Sequence, residues 1–258
     1  MSVIRFNEVT KAFGDHQVLS GITFEVEAGD VHFLMGGSGA GKSVIIKHIV
    51  GLLRPDSGGI WLDGQDICGL TEPEFAPIRR RAQMIFQHAT LFDSMTVLEN
   101  VAMPIQKRFR VRGSEARERA VVALRRVHAE ALLDRHPPDL GAGVRKRVAI
   151  ARAIALEPEI LLYDEPTTGL DPVAARRTDR LIAEMASELG ITSVVVSHDL
   201  ESMAGIADQV AFVGEGRIIY HGSPAGLPES GAEGVVEFMR AGSERWKAGG
   251  ERAGGGGC

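Results

Sequence analysis

Cysteine is nearly absent: the 258-residue chain holds Cys68 and Cys258 and no others. Two thiols cannot build a disulfide framework and point to a reducing compartment. Long hydrophobic runs are missing as well. No window approaches the roughly 18 consecutive apolar residues that a membrane helix requires, and the greasiest stretch, Val44 to Leu53, is broken by Lys47 and His48. Met1 to Phe6 show neither the long apolar stretch nor the small-residue cleavage site of a secretory signal. The sequence therefore reads as a cytoplasmic chain whose contact with a membrane comes through a partner. Positive charge is in short supply: 29 Lys and Arg against 34 Asp and Glu leave a net charge of −5. That balance argues against nonspecific duplex binding. Aromatic residues make up only 5%, yet 44% hydrophobic and 24% charged residues are ordinary for a globular protein. Disorder and collagen-like repeats are poor fits, and the length suits about one to two domains with a sizeable core.

Strands and turns dominate the first third. Ile4 to Phe6 and Val18 to Val26 alternate in part, with Phe13-Gly14-Asp15 as a turn between them. Val31 to Met35 is a short apolar run that stops at a glycine-rich segment, as a buried strand would. Lys42 to Leu53 places Ile45, Ile46, Ile49, Val50 and Leu53 at helical spacing, residues 55–59 read as a turn, and Ile60 to Leu62 as a strand. From about Glu115 to His136 the chain is rich in Arg, Ala and Glu at helical spacing. Its basic residues, like Arg79-Arg80-Arg81, read as a solvated face, because Glu115, Glu118 and Glu130 interleave the longer run. The final third alternates strand and helix. Ile160 to Tyr163 precedes a helix capped by Asp171 and Pro172, carrying Ile182, Met185 and Leu189 on one face and ended by Gly190. Ser193 to Val196, Val210 to Val213 and Ile218 to Tyr220 follow as strands. This alternation predicts a parallel sheet in a layered α/β fold. Residues 239–258, glycine-rich from Gly242, predict a flexible tail.

Gly36-Gly37-Ser38-Gly39-Ala40-Gly41-Lys42-Ser43 fits G-x-x-x-x-G-K-[ST] between a predicted strand and a predicted helix. Glycines let successive backbone N–H groups converge on phosphate oxygens, and the helix N-terminus adds its positive dipole end. Lys42 can reach the β- and γ-phosphates, and the Ser43 hydroxyl can ligate Mg²⁺. The strand Ile160 to Tyr163 ends in Asp164-Glu165. An aspartate there can hold a Mg²⁺ shell, and the adjacent glutamate can orient or deprotonate water.

With Phe86-Gln87, Asp164 to Pro172 and Ser197-His198-Asp199, the phosphate loop resembles the ABC-type ATPase subunits over about residues 3–238, in the family's order. The resemblance implies a P-loop NTPase with a parallel-sheet core, a small antiparallel β subdomain and a helical subdomain inserted at about 88–157. It implies ATP and Mg²⁺ as ligands, with Ser43, Gln87 and Asp164 toward the metal. It also implies a homodimer enclosing two ATP molecules, each between one subunit's phosphate loop and the other's signature segment. Phe13 matches the aromatic that stacks on adenine, Gln87 the glutamine joining the Mg²⁺ and water site to the helical lobe, and His198 the histidine at the γ-phosphate. Glu165 matches the base, and Asp171 the acid that contacts the other subunit. Taken alone, Phe13 is as easily core filler and Asp171 only a helix cap.

The family's signature is usually Leu-Ser-Gly-Gly-Gln, whereas this chain has Leu140-Gly141-Ala142-Gly143-Val144. The serine hydroxyl that donates to the partner's γ-phosphate is therefore missing, while backbone N–H groups at the helix start remain. A slow ATPase, a degenerate site and an altered sequence each fit. The intact remainder of the site favours reduced but real turnover.

Ile85 to Val101 and Arg145 to Asp164 are similar to the Mla/Mce-type phospholipid-transport ATPases, the toluene-tolerance group. That likeness implies a polytopic permease and an Mce-type lipid-binding protein as partners. It also implies a place on the cytoplasmic side of the inner membrane, with no nucleic acid bound. The alternatives are the ATPase of a small-solute importer, a nucleotide-gated cell-division scaffold, and a soluble ABC protein acting on ribosomes or DNA. Against the last stand the single cassette and the acidic balance.

Overall fold

The structure is a computed structural model and describes residues 2–241. Its first third holds β1 (Ser2–Phe13), β2 (His16–Glu27), β3 (Val31–Gly36), α1 (Lys42–Ile49), β4 (Ser57–Leu62) and β5 (Gln65–Asp66). The middle holds α2 (Glu72–Arg81), β6 (Ala82–Ile85), α3 (Val97–Phe109), α4 (Gly113–Arg126) and α5 (Ala142–Ile154). The last third holds β7 (Ile160–Asp164), α6 (Pro172–Leu189), β8 (Thr192–Val196), α7 (Leu200–Ile206), β9 (Gln209–Gly214) and β10 (Arg217–Gly222). Residues 233–241 are also helical. Residues 239–241, expected to begin the tail, thus continue a helix, and the rest of that tail, 242–258, lies outside the described residues.

Every residue of β3, β7 and β8 is buried, so the apolar runs need cover on both faces. They lie inside a six-stranded sheet of order β10-β9-β3-β8-β7-β6, in which only β10 runs antiparallel to its neighbour. Because successive side chains point to opposite faces, alternate residues feed two different cores. Phe33, Met35, Leu161, Tyr163 and Val195 pack with α3, α4, α5 and α6. Leu34, Ile160, Leu162, Val194 and Val196 pack with Ile45, Ile46 and Ile49 of α1 and with the second sheet. That sheet is antiparallel, of order β2-β1-β4-β5. Full burial of each such aliphatic side chain contributes about 1.5–3 kcal/mol. The effect is to clamp the carboxyl ends of β3, β7 and β8 side by side, which positions the site.

Local backbone chemistry moves several expected boundaries. Residues 57–59, read as turn, belong to β4: Gly58 sits at φ +84°, where an added Cβ would come within 2.4 Å of the Glu8 carbonyl oxygen. α1 stops at Ile49 because Gly51 turns left-handed at φ +66°. The helix expected to reach His136 ends at Arg126, where His128 adopts φ +54° and the Ala129 N–H donates to the Leu124 carbonyl at 2.9 Å. Leu189, expected on the buried face of its helix, is exposed. Arg79 and Arg81 are tied down rather than solvated: Arg79 pairs with Glu72, and Arg81 with Asp63 and Glu159. Among the described residues no helix is long and apolar enough to cross a membrane.

Candidate nucleotide site

The segment from Gly36 to Ser43 joins the end of β3 to the start of α1. Two of its glycines are demanded by both backbone angle and close approach. At Gly36, φ is +141° and an added Cβ would lie 2.3 Å from the Val213 carbonyl oxygen. At Gly41, φ is +96° and a Cβ would strike Leu19 at 2.7 Å. Gly41 is the N-cap of α1 and supplies no side-chain cap, so the first N–H groups stay available to an anion. The Lys42 ammonium donates to the carbonyls of Gly36 and Gly37, both at 2.8 Å, and is 6% exposed. Burial lowers its pKa, and the charges of Glu165 and Asp164 oppose that shift.

Asp164 closes β7, and its Oδ1 accepts the Ser43 hydroxyl at 2.6 Å. The next residue, Glu165, adopts φ +49°, a conformation that costs a non-glycine residue about 1–3 kcal/mol and concentrates at functional sites. Its Oε2 accepts two hydrogen bonds, from the Thr168 hydroxyl at 2.8 Å and from Nδ1–H of His198 at 2.9 Å. His198 follows β8, and Gln87 lies two residues beyond β6. Lys42, Ser43, Gln87, Glu165 and His198 all line one cleft of about 1460 Å³. The arrangement offers backbone donors and an ammonium for phosphates, and a held carboxylate that can take a proton from water.

A hydroxyl and a carboxylate 2.6 Å apart form a hard oxygen donor set, which suits Mg²⁺, an ion that keeps several waters and adds phosphate oxygens. Ser43 and Asp164 would hold it, and it would supply positive charge against the phosphates. Among the described residues no group of three or more His, Cys, Asp or Glu forms a self-sufficient metal cage.

Three sequence-predicted features stand apart from this cleft. Phe13 ends β1, opposite His16, with its ring 47% exposed and the Lys11 ammonium 5.6 Å from its centroid. It is not among the residues lining the cleft, whereas Val18, read in the sequence only as the start of a strand, is. Gly141, Ala142 and Gly143 start α5, and Asp171 caps α6 by accepting from the Val173 and Ala174 N–H groups. These two helix starts adjoin, since a Cβ on Gly143 would meet Ala174 at 2.7 Å. Neither contributes to its own chain's cleft. Thr168 and Lys146 also escaped the sequence reading. Lys146 is buried, donates to the carbonyls of Phe86 and Gln87, and has its pKa lowered by burial to about 8. Because it meets those carbonyls 59 and 60 residues away, no local pattern reveals it.

This topology with this cleft defines a phosphate-loop nucleotide-binding fold. The family model for the ABC transporter matches residues 19–168. The methionine import ATP-binding protein MetN of Rhizobium johnstonii is 41% identical over 223 residues, covering 85% of this chain and 60% of its own length. The intermembrane phospholipid transport system ATP-binding protein MlaF of Haemophilus influenzae is 34% identical over 243 residues, covering 94% of this chain and 92% of its own. The chain thus spans between 60% and 67% of the length of the methionine-import relatives it matches. Among solved structures, cbiO1 from Clostridium perfringens, part of the ABC transporter complex cbiONQ, superposes with a TM-score of 0.81 at 33% identity, covering 91% of this chain and 92% of its own. The dimeric, post-hydrolysis ATP-binding cassette MJ0796, bound to ADP and Pi, gives 0.78 at 30% identity, covering 86% and 98%. The chain belongs to the ABC transporter family and carries its ATP-binding cassette.

Proposed function

We propose that the chain powers phospholipid transport as the ATPase of an Mla/Mce-type complex, working as a homodimer beneath a polytopic permease at the inner membrane. The observation that carries the ATPase part is the convergence of Lys42, Ser43 with Asp164, and Glu165 with His198 on one cleft. In that reading the phosphate loop and Lys42 bind ATP, and Ser43, Asp164 and Gln87 face Mg²⁺. Glu165 takes the proton from the attacking water, and His198 faces the γ-phosphate. Phe13, an exposed ring, offers a platform to adenine. Gly141 to Gly143 and Asp171 adjoin one another and lie off their own cleft. That arrangement supports their facing the ATP of a second copy.

Two things support the lipid reading: the likeness of Ile85 to Val101 and of Arg145 to Asp164 to the toluene-tolerance group, and the MlaF relative's match over 94% of this chain. A methionine or other small-solute importer is the second reading, favoured by the 41% identity of the MetN relative. Purification of the chain from detergent-solubilised membranes of its host tests both. The lipid reading expects a permease with an Mce-type protein and bound phospholipid in the mass spectrum. A permease for a small solute, with no lipid partner, overturns it in favour of the second. Recovery with division proteins or ribosomes overturns both.

A further inference from the structure

β6 ends at Ile85, so the carbonyls of residues 86–90 have no sheet partner and need other donors. Two come from α5. The Lys146 ammonium donates to the carbonyls of Phe86 at 3.0 Å and Gln87 at 2.7 Å, and the Arg152 guanidinium donates to the Thr90 carbonyl at 2.8 Å. Lys146 is 3% exposed, a costly place for an ammonium unless its hydrogen bonds repay the desolvation. The same helix begins with Ala142, next to its cap Gly141, one turn before Lys146. The backbone that carries Gln87 into the nucleotide cleft is therefore strapped to the segment that starts α5.

We propose that Lys146 is a positioning residue: it couples Gln87 in one subunit's nucleotide site to the Gly141–Gly143 segment that serves the ATP held by the partner subunit. A displacement of Gln87 when nucleotide enters is carried by two hydrogen bonds into a rigid helix. The other end of that helix is the atypical signature. The proposal rests on the dimeric reading above. It also accounts for a charged side chain at a buried position where an apolar one of similar volume would pack at lower cost.

The test is steady-state phosphate release by the full chain in the complex with which it purifies. Lys146→Met keeps the length of the side chain and removes the donors. The coupling account expects kcat to fall roughly three- to thirtyfold while KM for ATP stays within about twofold. The Hill coefficient for ATP should drop to 1, the melting temperature should hold, and Lys146→Arg should restore both rate and cooperativity. In the Gln87→Ala background, Lys146→Met should add no further loss. Parental rate and cooperativity in Lys146→Met overturn the proposal. So does a loss additive to that of Gln87→Ala, or one that follows the melting temperature and is not rescued by arginine. If Lys146→Met fails to fold, Lys146→Gln offers two uncharged amide N–H donors on a shorter stem in place of three ammonium ones: an intermediate kcat supports the proposal and a parental one overturns it. ATP-driven dimerisation of Glu165→Gln separates the two layers. Its absence sinks the dimeric reading, and its presence with an indifferent Lys146→Met sinks only the coupling.

Discussion

Nδ1 of His198 lies 2.9 Å from Oε2 of Glu165, the same oxygen that accepts the Thr168 hydroxyl at 2.8 Å. Two donors on one oxygen fix the carboxylate plane and leave Oε1 for a water. Thr168 is thus a holder of the base rather than a participant. Thr168→Val preserves the shape and removes one donor. A hydrogen bond to a charged group is worth about 1.5–3 kcal/mol at most, and His198 still holds the oxygen. The expected result is a three- to tenfold lower kcat with KM for ATP unchanged, read from initial rates across ATP concentrations. An unchanged kcat would remove Thr168 from the account.

Lys42 spends its ammonium on the Gly36 and Gly37 carbonyls, which places it within the loop that receives the phosphates. Lys42→Ala deletes the charge-assisted contacts to the β- and γ-phosphates. Affinity for a fluorescent ATP analogue should fall by at least about tenfold, the equivalent of 1.4 kcal/mol. Near-parental affinity would count against the site.

The signature segment gives a paired prediction. An added Cβ at Gly141 meets nothing within 4 Å, whereas one at Gly143 would lie 2.7 Å from Ala174. Gly141→Ser should therefore fold as the parent does, since Ser and Gly differ by only a few tenths of a kcal/mol at an N-cap. The restored hydroxyl should raise the ATPase rate of the assembled complex about five- to thirtyfold, short of the full worth of a preorganised donor. Gly143→Ser should lower the melting temperature. A Gly141→Ser enzyme with parental rate and stability would detach residues 140–144 from the γ-phosphate.

Much of the site was legible because phosphate chemistry dictates spacing. The eight residues Gly36 to Ser43 and the strand-end pair Asp164-Glu165 can be read without neighbours, and the structure brings them together. The parallel core was legible for a similar reason, as unbroken apolar runs demand two covered faces. What could not be read depends on approach through space. Lys146 meets Gln87 across 59 residues, and Val18 reaches the cleft because the β1–β2 hairpin leans its Leu19 against Gly41. Helix ends at Gly51 and His128 hinge on left-handed backbone that composition does not announce.

Acid stability gives a further check. His32 is fully buried between Phe24 and His221, and both ring nitrogens lack partners. Burial first, and His221 second, hold its pKa at about 3 against an ordinary 6.5. The unfolded chain takes this proton and the folded chain refuses it, so stability present above pH 6.5 is lost as pH falls toward 3, by up to about 1.4 kcal/mol per unit. Asp179 acts in the opposite sense, its pKa raised by burial from 3.8 to about 6, so its contribution falls as pH rises through that window. The difference in unfolding free energy between His32→Leu and the parent isolates the histidine. It should move in favour of the variant as pH falls from 6.5 to 5, while a pH-independent difference would contradict the neutral, buried ring.

The most direct test of the central claim, an ATP site hydrolysed by Glu165 and completed by a second copy, is the solution mass of Glu165→Gln with ATP and Mg²⁺. The amide keeps the hydrogen-bonding shape and removes the base, and loss of a general base costs about 10²–10⁴-fold. The account predicts near-normal ATP binding, hydrolysis lowered by that factor, and light scattering that moves from the 27.7 kDa chain to a species of twice that mass. A variant that binds ATP, stays monomeric and turns over like the parent would contradict it.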